Sequence, residues 1–307
     1  MLIIWRITPE MIVYLKNAVQ IVFLYCVSVT GGIAEMNLIC PVCGGELLPE
    51  PKRYVCRKGH SFDRAKSGYV NLLQRQSRRQ RGDDAEMAKA RQMFLNAGYY
   101  QKLLDRICTI AEGIHPQQVM DVGCGEGWYS CAVTSRLRSK ECQTALCGVD
   151  ISPEILRFAA VRAKQQGIPD ADWAVASVSH LPAPAQSCDC ILNLFAPCDP
   201  QEFLRILKPN GLLLRVIPLE KHLWELKQAV YEKPYENKPV AAAPEGFVLD
   251  AYESLTDTIT VPAEHLKALF AMTPYIHKTS PQDIAKLDAI SALTTTISFG
   301  ILQCRPK

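Results

Sequence analysis

The chain has 307 residues, of which 48% are hydrophobic and 21% charged, and its formal net charge is +3. This composition excludes a disordered chain and leaves room for one large domain with a smaller one beside it. The 13 cysteines form an odd count without regular spacing in the C-terminal part, so they argue against a disulfide-stapled secreted scaffold. They favour a reducing compartment, in which cysteine serves as a small hydrophobic residue.

The first 35 residues differ in character from those that follow. Residues 12–29 are largely apolar but include Lys16 and Gln20, which makes this stretch marginal for a membrane span, and no convincing signal cleavage site is present. Met36 stands directly before the next motif. We expect residues 1–35 to be an extension from an over-extended reading frame, with Met36 as the natural start. A membrane anchor is the alternative.

Two close pairs of metal-binding side chains follow, with the spacing Cys-x2-Cys-x12-Cys-x3-His. They are Cys40, Cys43, Cys56 and His60. Three thiolates and an imidazole suit tetrahedral Zn²⁺, and four protein ligands leave no position open for substrate. Residues 36–73 are therefore predicted to form a zinc ribbon with a structural metal. Two unrelated cysteine pairs are the alternative.

A strongly basic stretch overlaps this module and continues beyond it. Between Lys52 and Arg81 there are ten lysines or arginines and a single acid, Asp63. Such a run is either a solvated surface or a contact with nucleic-acid phosphates. Residues 74–98 are predicted to be a basic arm and a linker helix, the helix covering residues 83–95 because its apolar residues recur at helical spacing.

From residue 118 onwards, predicted strands and helices alternate. Strands are predicted at residues 119–122, 145–150, 173–176, 188–195 and 212–217. Helices are predicted at residues 129–137, 153–164 and 201–207, and residues 208–211 end the last of these helices. Near the C-terminus, strands at residues 256–261 and 295–304 flank a helix at residues 265–270. This alternation predicts a parallel sheet covered by helices on both faces. Residues 99–307 are therefore expected to form one α/β domain.

A glycine-rich loop follows the first strand of this domain. Its glycines are Gly123, Gly125 and Gly127. Asp121 precedes them and is placed to face a cationic amino group, while Asp150 ends the next strand and is placed to accept hydrogen bonds from ribose hydroxyls. S-adenosylmethionine, with an ammonium, a ribose and no phosphate, fits these two acids. NAD is the competing ligand, but Trp128 stands where its motif needs a glycine.

Two segments near the fourth strand are further candidates for the site. His180 follows the third strand, and residues 193–197 (Asn-Leu-Phe-Ala-Pro) end the fourth strand, where an acceptor would meet the methyl group. Phe195 in this segment is either a core residue or a surface on which a flipped base stacks.

In this order, the motifs resemble the 23S rRNA guanine-N1-methyltransferases of the RlmA (RrmA) type. The resemblance runs from about Met36 to the C-terminus and includes residues 59–63 (Gly-His-Ser-Phe-Asp), 66–73, 96–100 and 222–226. It implies a Rossmann-like class I S-adenosylmethionine-dependent methyltransferase domain, with a seven-stranded mostly parallel sheet behind the zinc ribbon. It also implies cofactor contacts from the glycine loop and from Tyr100, Asp121, Tyr129, Ser130, Asp150 and His222.

The activity that the resemblance implies is methylation of guanine N1 in a hairpin of domain II of 23S rRNA. Residues 216–218, 231–235 and 193–197 favour guanine 748 over guanine 745. A base must accept the N1 proton, and His180 and His222 are the candidates, with water as the alternative. The expected partner is the rRNA hairpin, in the cytoplasm and without a membrane; a homodimer is held open. A small-molecule methyltransferase with a partner-binding zinc ribbon is the alternative, and a non-catalytic RNA-binding protein is a third possibility.

Overall fold

The computed structural model describes residues 36–73 and 84–307, apart from the side chain of His277. The expectations for residues 1–35 and for the basic arm at residues 74–83 lie outside these described residues. The described part belongs to one compact unit, Met36–Lys307. Within it, no helix is long and apolar enough to cross a membrane.

The first segment forms a small antiparallel sheet that joins the large one by a single short strand. Strands β1 (Leu47–Pro49), β2 (Arg53–Cys56) and β3 (Ser61–Asp63) pair in that order. Strand β4 (Val70–Asn71) then pairs in parallel with a strand of the large sheet. We call residues 36–73 the zinc module.

Two helices precede the large sheet. Helix α1 (Ala85–Asn96) begins at Asp84, whose carboxylate accepts hydrogen bonds from the N–H groups of Glu86 and Met87 at 3.0 and 2.9 Å. The predicted helix at residues 83–95 is thus confirmed over its described part. Helix α2 (Gln101–Ile114) was not predicted, although its buried residues recur at helical spacing.

The remaining elements alternate along the chain as predicted, with two further helices, at residues 224–230 and 281–285, that were not predicted. They are β5 (Gln118–Val122), α3 (Trp128–Arg138), β6 (Ala145–Asp150), α4 (Pro153–Gln165), β7 (Asp172–Val175), β8 (Cys188–Leu194), α5 (Pro200–Ile206), β9 (Leu207–Pro218), α6 (Trp224–Val230), β10 (Phe247–Pro262), α7 (Ala263–Ala271), α8 (Pro281–Ala285) and β11 (Ala292–Pro306), with 3₁₀ turns at Pro274–Lys278 and Lys286–Ala289.

The large sheet has the strand order β10-β11-β9-β8-β5-β6-β7-β4. Strands β4 to β9 run parallel, and β11 is antiparallel to both β9 and β10. Seven of these strands come from residues 118–306, which confirms the predicted seven-stranded sheet. The eighth, β4, is an addition from the zinc module, and it covers the edge of β7.

The end of α5 and the last two strands differ in extent from the sequence prediction. Strand β9 starts at Leu207 directly after α5, but residues 208–211 bulge out of its pairing with β8, which resumes at Leu212, the first residue of the predicted strand. A side chain at Gly211 would meet the Lys208 carbonyl oxygen at 3.0 Å, so only glycine lets the backbone pass here. Strands β10 and β11 pair along nearly their whole lengths. The prediction was too short mainly for β10, because the residues before 256 are mostly exposed and show no regular alternation of apolar and polar residues.

The two faces of the large sheet are covered differently. On one face, helices α2, α3, α4, α6 and α7 pack over strand residues such as Leu192 and Leu214. On the other face, α5 and the zinc module share a core, in which Leu38 and Leu47 pack with Leu181 and Ala183 from the large domain. The zinc module thus takes a place that helices usually occupy in an α/β fold.

Hydrogen bonds fix the zinc module to the sheet. The Tyr54 hydroxyl donates to the Asp172 carboxylate at 2.5 Å and accepts from the Arg64 guanidinium at 2.8 Å. The backbone N–H of Ile39 donates to the Pro182 carbonyl at 3.0 Å. A module held by side-chain bonds, backbone bonds and a shared strand has a defined position relative to the large domain.

Candidate functional site

A cavity of about 740 Å³ opens at the carboxyl ends of strands β5, β6, β8 and β9. In a parallel α/β sheet, ligands bind at this edge, where the strand order reverses. Its wall includes the glycine-rich loop, the ends of the four strands and the segment 272–275 behind α7. The volume lies within the range of small-molecule sites.

The glycine loop has a conformation that only glycines adopt readily. Gly123, Gly125 and Gly127 have positive φ angles of 78°, 56° and 79°. A Cβ atom on Gly123 would lie 2.3 Å from the Cβ of Ala196, so this glycine allows the loop after β8 to approach closely. The N–H groups of Gly123 and Cys124 donate to the Val149 carbonyl, which ties the loop to β6.

Asp121 lies at the end of β5 and lines the cavity from a buried position. The Ser130 hydroxyl donates to its Oδ2 at 2.5 Å, while Oδ1 is buried without a hydrogen-bond partner among the described residues. Burial raises the pKa of Asp121 to about 7, and the nearby Asp150 adds to the rise while the Ser130 hydrogen bond opposes it. A buried carboxylate with an unsatisfied oxygen fits a ligand ammonium group.

Asp150 stands at the end of β6, on the opposite side of the glycine loop. Its Oδ2 accepts from the Gly125 N–H at 3.1 Å and its Oδ1 from the Ser152 N–H at 2.9 Å. These bonds hold the carboxylate in the wall of the cavity, and a carboxylate oxygen can accept more than one hydrogen bond. The two acids therefore suit a ligand with a cation at one end and a sugar at the other, as S-adenosylmethionine has.

Arg91 of α1 lines the same part of the cavity and was not predicted as a site residue. Its Nη1 would lie 3.1 Å from a Cβ placed on Gly125, so the guanidinium stands beside the glycine loop. The sequence signal was an arginine within the apolar face of a predicted helix. A cation here suits the carboxylate of an amino-acid ligand.

Tyr100, Tyr129 and His222 add three aromatic rings to the wall of the cavity. Tyr129 is buried, and its hydroxyl has no hydrogen-bond partner within the described residues. The His222 Nε2 lies 3.3 Å from the Tyr100 hydroxyl. Phe299 packs against both the Tyr100 and His222 rings.

The surroundings of His222 do not suit a general base. Its Nδ1 accepts from the Ser298 N–H at 3.2 Å, so in the neutral ring the proton is assigned to Nε2, next to Tyr100. Burial, with a smaller contribution from the Lys227 charge, lowers the pKa of His222 to about 3. The imidazole thus has no free lone pair for a guanine proton, and its contacts position Tyr100.

His180 does not join the cavity. Its N–H donates to the Ser177 carbonyl in a turn after β7, and this turn directs the exposed side chain towards the zinc module. There it lines a separate cavity of about 320 Å³ together with Cys40 and Leu72. The structure therefore gives no support to His180 as the base.

The four predicted zinc ligands meet in one cluster, with their ligand atoms all within 4.8 Å of one another. The Cys43 and Cys56 sulfurs are 3.7 Å apart, and the His60 Nδ1 is 3.3 Å from the Cys56 sulfur and 3.5 Å from the Cys40 sulfur. Tetrahedral zinc with bonds of about 2.3 Å to sulfur and about 2.0 Å to nitrogen requires separations of about 3.8 Å and about 3.5 Å. The donor set therefore fits zinc.

These features together define a class I S-adenosylmethionine-dependent methyltransferase with an N-terminal zinc ribbon. A sequence model described as "RlmA, N-terminal" matches residues 38–81, and one described as "Methyltransferase domain" matches residues 119–211. The relative named "23S rRNA (guanine(748)-N(1))-methyltransferase" from Streptomyces fradiae is 32% identical over 282 residues, 88% of this chain and 96% of the relative. The chain belongs to the 23S rRNA (guanine-N1-)-methyltransferases of the RlmA family.

Two further relatives differ in how much of the chain they match. The protein YxjB of Bacillus subtilis, whose name assigns it provisionally to the same enzymes, is 29% identical over 86% of this chain and 95% of its own. A malonyl-[acyl-carrier protein] O-methyltransferase of Hahella chejuensis is 32% identical, but over 44% of this chain and 48% of its own. The full-length likeness is thus to the rRNA enzymes.

Proposed function

We propose that this chain transfers the methyl group of S-adenosylmethionine to N1 of guanine 748 in the domain II hairpin of 23S rRNA. The observation that carries this proposal is the likeness over 96% of the length of the Streptomyces fradiae protein, whose name gives that position. The cavity, with its two acids and its aromatic wall, supplies the matching chemistry.

The cofactor end of the cavity lies at the glycine loop. Asp121 would accept the ammonium with its unpartnered Oδ1, and Arg91 would face the carboxylate of the same amino-acid group. Asp150 would accept hydrogen bonds from the ribose hydroxyls, while Tyr129 and Ser130 stand at the start of α3 beside the site. When bound, the cofactor supplies an electrophilic methyl group, and these residues fix its orientation.

Phe195 lies in the part of the cavity wall where we propose that the target guanine, the methyl acceptor, binds. It has a positive φ of 58°, which is unfavourable for a bulky residue, and 42% of its surface is exposed. Its ring contacts Phe299 with centroids 5.5 Å apart, and the Phe195 N–H donates to the Val216 carbonyl. A strained, partly exposed aromatic ring at the rim suits stacking against a base that has left its helix.

The zinc module is proposed to hold the RNA hairpin. Lys52, Arg57, Lys58 and Lys66 are exposed and make no ion pair with any other described residue. Unpaired cations on a module fixed beside the cavity suit phosphate contacts, which would make RNA binding strongly dependent on salt. The arginines at residues 75–81 are proposed to extend this contact.

Methylation of the hairpin tests the proposal directly. A methyl group on guanine N1 blocks Watson–Crick pairing, so reverse transcription of treated RNA should stop at guanine 748. Replacing guanine 748 by adenine should abolish methylation, while replacing guanine 745 should not. A stop at guanine 745 alone would reassign the target, and no methylated RNA at all would favour a small-molecule acceptor.

Two expectations concern the location of the protein in the cell and its oligomeric state. We propose that the protein acts in the cytoplasm, where it would meet ribosomal RNA. A homodimer stays a prediction, which sedimentation of the full chain at micromolar concentration would check.

A further inference from the structure

Arg215 is a cation in the cavity wall without a partner. It lies on β9, its Nε is enclosed, and no described residue gives it a hydrogen bond or an ion pair. Other arginines that are buried or only partly exposed pair with a carboxylate; these include Arg64, Arg106, Arg138, Arg162 and Arg205. Arg215 is half-buried, and because an enclosed donor without an acceptor is costly, its Nε indicates a ligand with an acceptor atom.

The position of Arg215 is close to the acceptor end. In the parallel pair β8–β9 its Cα is opposite Asn193, two residues before Phe195. Burial raises the pKa of Cys198, and the charge of Arg215 opposes this rise, so the guanidinium lies near the loop that carries Phe195. Side chains alternate along a strand, and Arg215 shares the sheet face of Leu213 and Ile217, which pack in the core that α5 and the zinc module share.

The chemistry of the acceptor explains what such a cation can do. Guanine N1 is a poor nucleophile until its proton leaves, and the resulting negative charge is shared between N1 and O6. A donor placed at O6 stabilises this anion and makes N1 more acidic. Four titratable groups in the cavity wall are already engaged. Asp121 and Asp150 are assigned to the cofactor, His222 has no free lone pair, and Glu126 pairs with the Arg162 guanidinium, so none of these side chains is an evident base.

We propose that the Arg215 guanidinium binds O6 of the target guanine and stabilises its N1 anion. The N1–H proton passes to water; the N1 lone pair then forms the N–CH₃ bond, and the electrons of the S–CH₃ bond return to sulfur. This inference rests on the proposed function. Arginine has only donors, so the same contact selects guanine O6 and rejects the amino group of adenine.

A backbone phosphate is the other oxygen acceptor that could meet this guanidinium. The enclosed Nε argues for the base, because Arg215 stands in the wall of the cavity below the strand ends, whereas phosphates remain hydrated at the surface of the complex. The two ligands also differ in what they change: an O6 contact acts on the chemical step and its pH dependence, and a phosphate contact acts on RNA affinity.

The test compares Arg215→Gln and Arg215→Lys with the wild type and with Arg157→Gln, which removes an exposed arginine of α4. Single-turnover methylation of the hairpin would be measured from about pH 7 to about pH 10, with RNA affinity measured separately. We expect Arg215→Gln to slow the chemical step roughly 100-fold at about pH 7, which is the size of loss that one donor to a developing charge causes.

The pH profile distinguishes this role from a structural one. The deficit of Arg215→Gln should shrink as rising pH ionises N1 without help, Arg215→Lys should recover part of the rate, and cofactor affinity and RNA affinity should stay close to those of the wild type and Arg157→Gln. A variant that loses RNA affinity but keeps its rate at saturating RNA would overturn the inference in favour of a phosphate contact. A deficit independent of pH would also overturn it. A wild type without RNA methylation would instead refute the proposed function.

Discussion

The zinc module and the large sheet are held together by different means. The module packs its buried apolar side chains against the sheet rather than into a core of its own; they are Met36, Leu38, Leu47, Tyr54, Val70 and Leu72. The sheet and the helices that cover it bury apolar residues on both faces, including Phe94, Phe203, Phe270 and Phe299, which are at most 1% exposed. In the module, zinc binding by the four ligands must therefore supply the folding free energy that hydrophobic burial supplies in the sheet.

The same contrast holds for the polar groups of the two regions. In the module, the buried hydroxyl of Tyr54 has both a donor and an acceptor partner. At the cavity of the sheet, Asp121, Tyr129 and Arg215 each keep a buried polar atom without a partner among the described residues. Unsatisfied polar atoms lower stability and persist where a ligand satisfies them, so the sheet contains the ligand site and the module supports it.

Loss of a zinc ligand should have the largest effect, and this effect should be confined to the zinc module. Binding of structural zinc contributes on the order of 10 kcal/mol to a module of this kind. We expect Cys56→Ala to remove the amide-exchange protection of residues 36–73 and to abolish tight hairpin binding. Calorimetry should still detect cofactor binding, since the cavity residues lie on the sheet.

Cys142→Ser is the matched control, because Cys142 is a half-buried thiol outside the metal cluster. It should keep both the protection of the module and RNA binding. Persistent protection of residues 36–73 in Cys56→Ala would contradict the dependence of the module on its metal.

Replacing the buried Asp121 should raise the stability of the cofactor-free protein and weaken cofactor binding. The pKa of Asp121 in the folded protein, about 7, lies above its ordinary value of 3.8, so the fold favours the protonated acid. The resulting penalty is absent below about pH 4 and complete above about pH 7, where it is about 4 kcal/mol. Asp121→Asn should therefore raise the stability of the cofactor-free protein at about pH 8, with little gain at about pH 4.

The same substitution should weaken S-adenosylmethionine binding at least about 30-fold, because a buried ammonium would lose its counter-charge. In the wild type, affinity should fall as pH drops below about 7, since the protonated acid no longer attracts a cation. Chemical denaturation and calorimetry at both pH values measure the two effects. Unchanged affinity in Asp121→Asn would remove this residue from the cofactor site.

Phe195→Ala should act on the acceptor and leave the cofactor unaffected. Stacking of a base on an aromatic ring is worth about 1–3 kcal/mol, so kcat/KM for the hairpin should fall roughly 10- to 100-fold. Phe195→Trp should retain most of the activity, and Val248→Ala, at an exposed apolar residue of β10, should retain all of it. Equal losses in Phe195→Ala and Phe195→Trp would show that the backbone turn, and not the ring, is what matters.

The smallest effect is expected where the two regions meet. Tyr54→Phe removes one hydrogen bond to Asp172 and one from Arg64, at a cost of about 1–2 kcal/mol, while the metal cluster stays intact. Amide exchange should accelerate at β4 but not at the metal cluster, and Tyr252→Phe on β10 should change neither. Acceleration at residues 40–43 would mean that the sheet, as well as the metal, holds the module together.

Sequence periodicity and glycine spacing were enough to predict the sheet, because each of these features has a local cause. Strand β6 was predicted with its observed ends, since its residues are buried on both faces and form a continuous apolar run. Cysteine spacing likewise brought Cys40 and His60 into one cluster, because two tight turns determine where those ligands lie.

What the sequence could not reveal depends on residues that are distant along the chain. The addition of β4 to the edge of β7 joins residues about a hundred positions apart, and its two residues have no strand pattern. From the sequence alone His222 is a candidate base, and only the structure shows that its Nδ1 accepts a hydrogen bond from the Ser298 N–H. Arg215 reads as an ordinary strand residue, because a missing partner is visible only in three dimensions.

The central claim is that the sheet performs the methyl transfer on RNA that the zinc module positions. The most direct measurement is reverse transcription of the domain II hairpin after treatment with S-adenosylmethionine and either the wild type or Cys56→Ala. We predict a stop at guanine 748 with the wild type and no stop with Cys56→Ala, while both proteins bind the cofactor with similar affinity. A stop of equal strength with Cys56→Ala, after confirmed loss of zinc, would contradict the account.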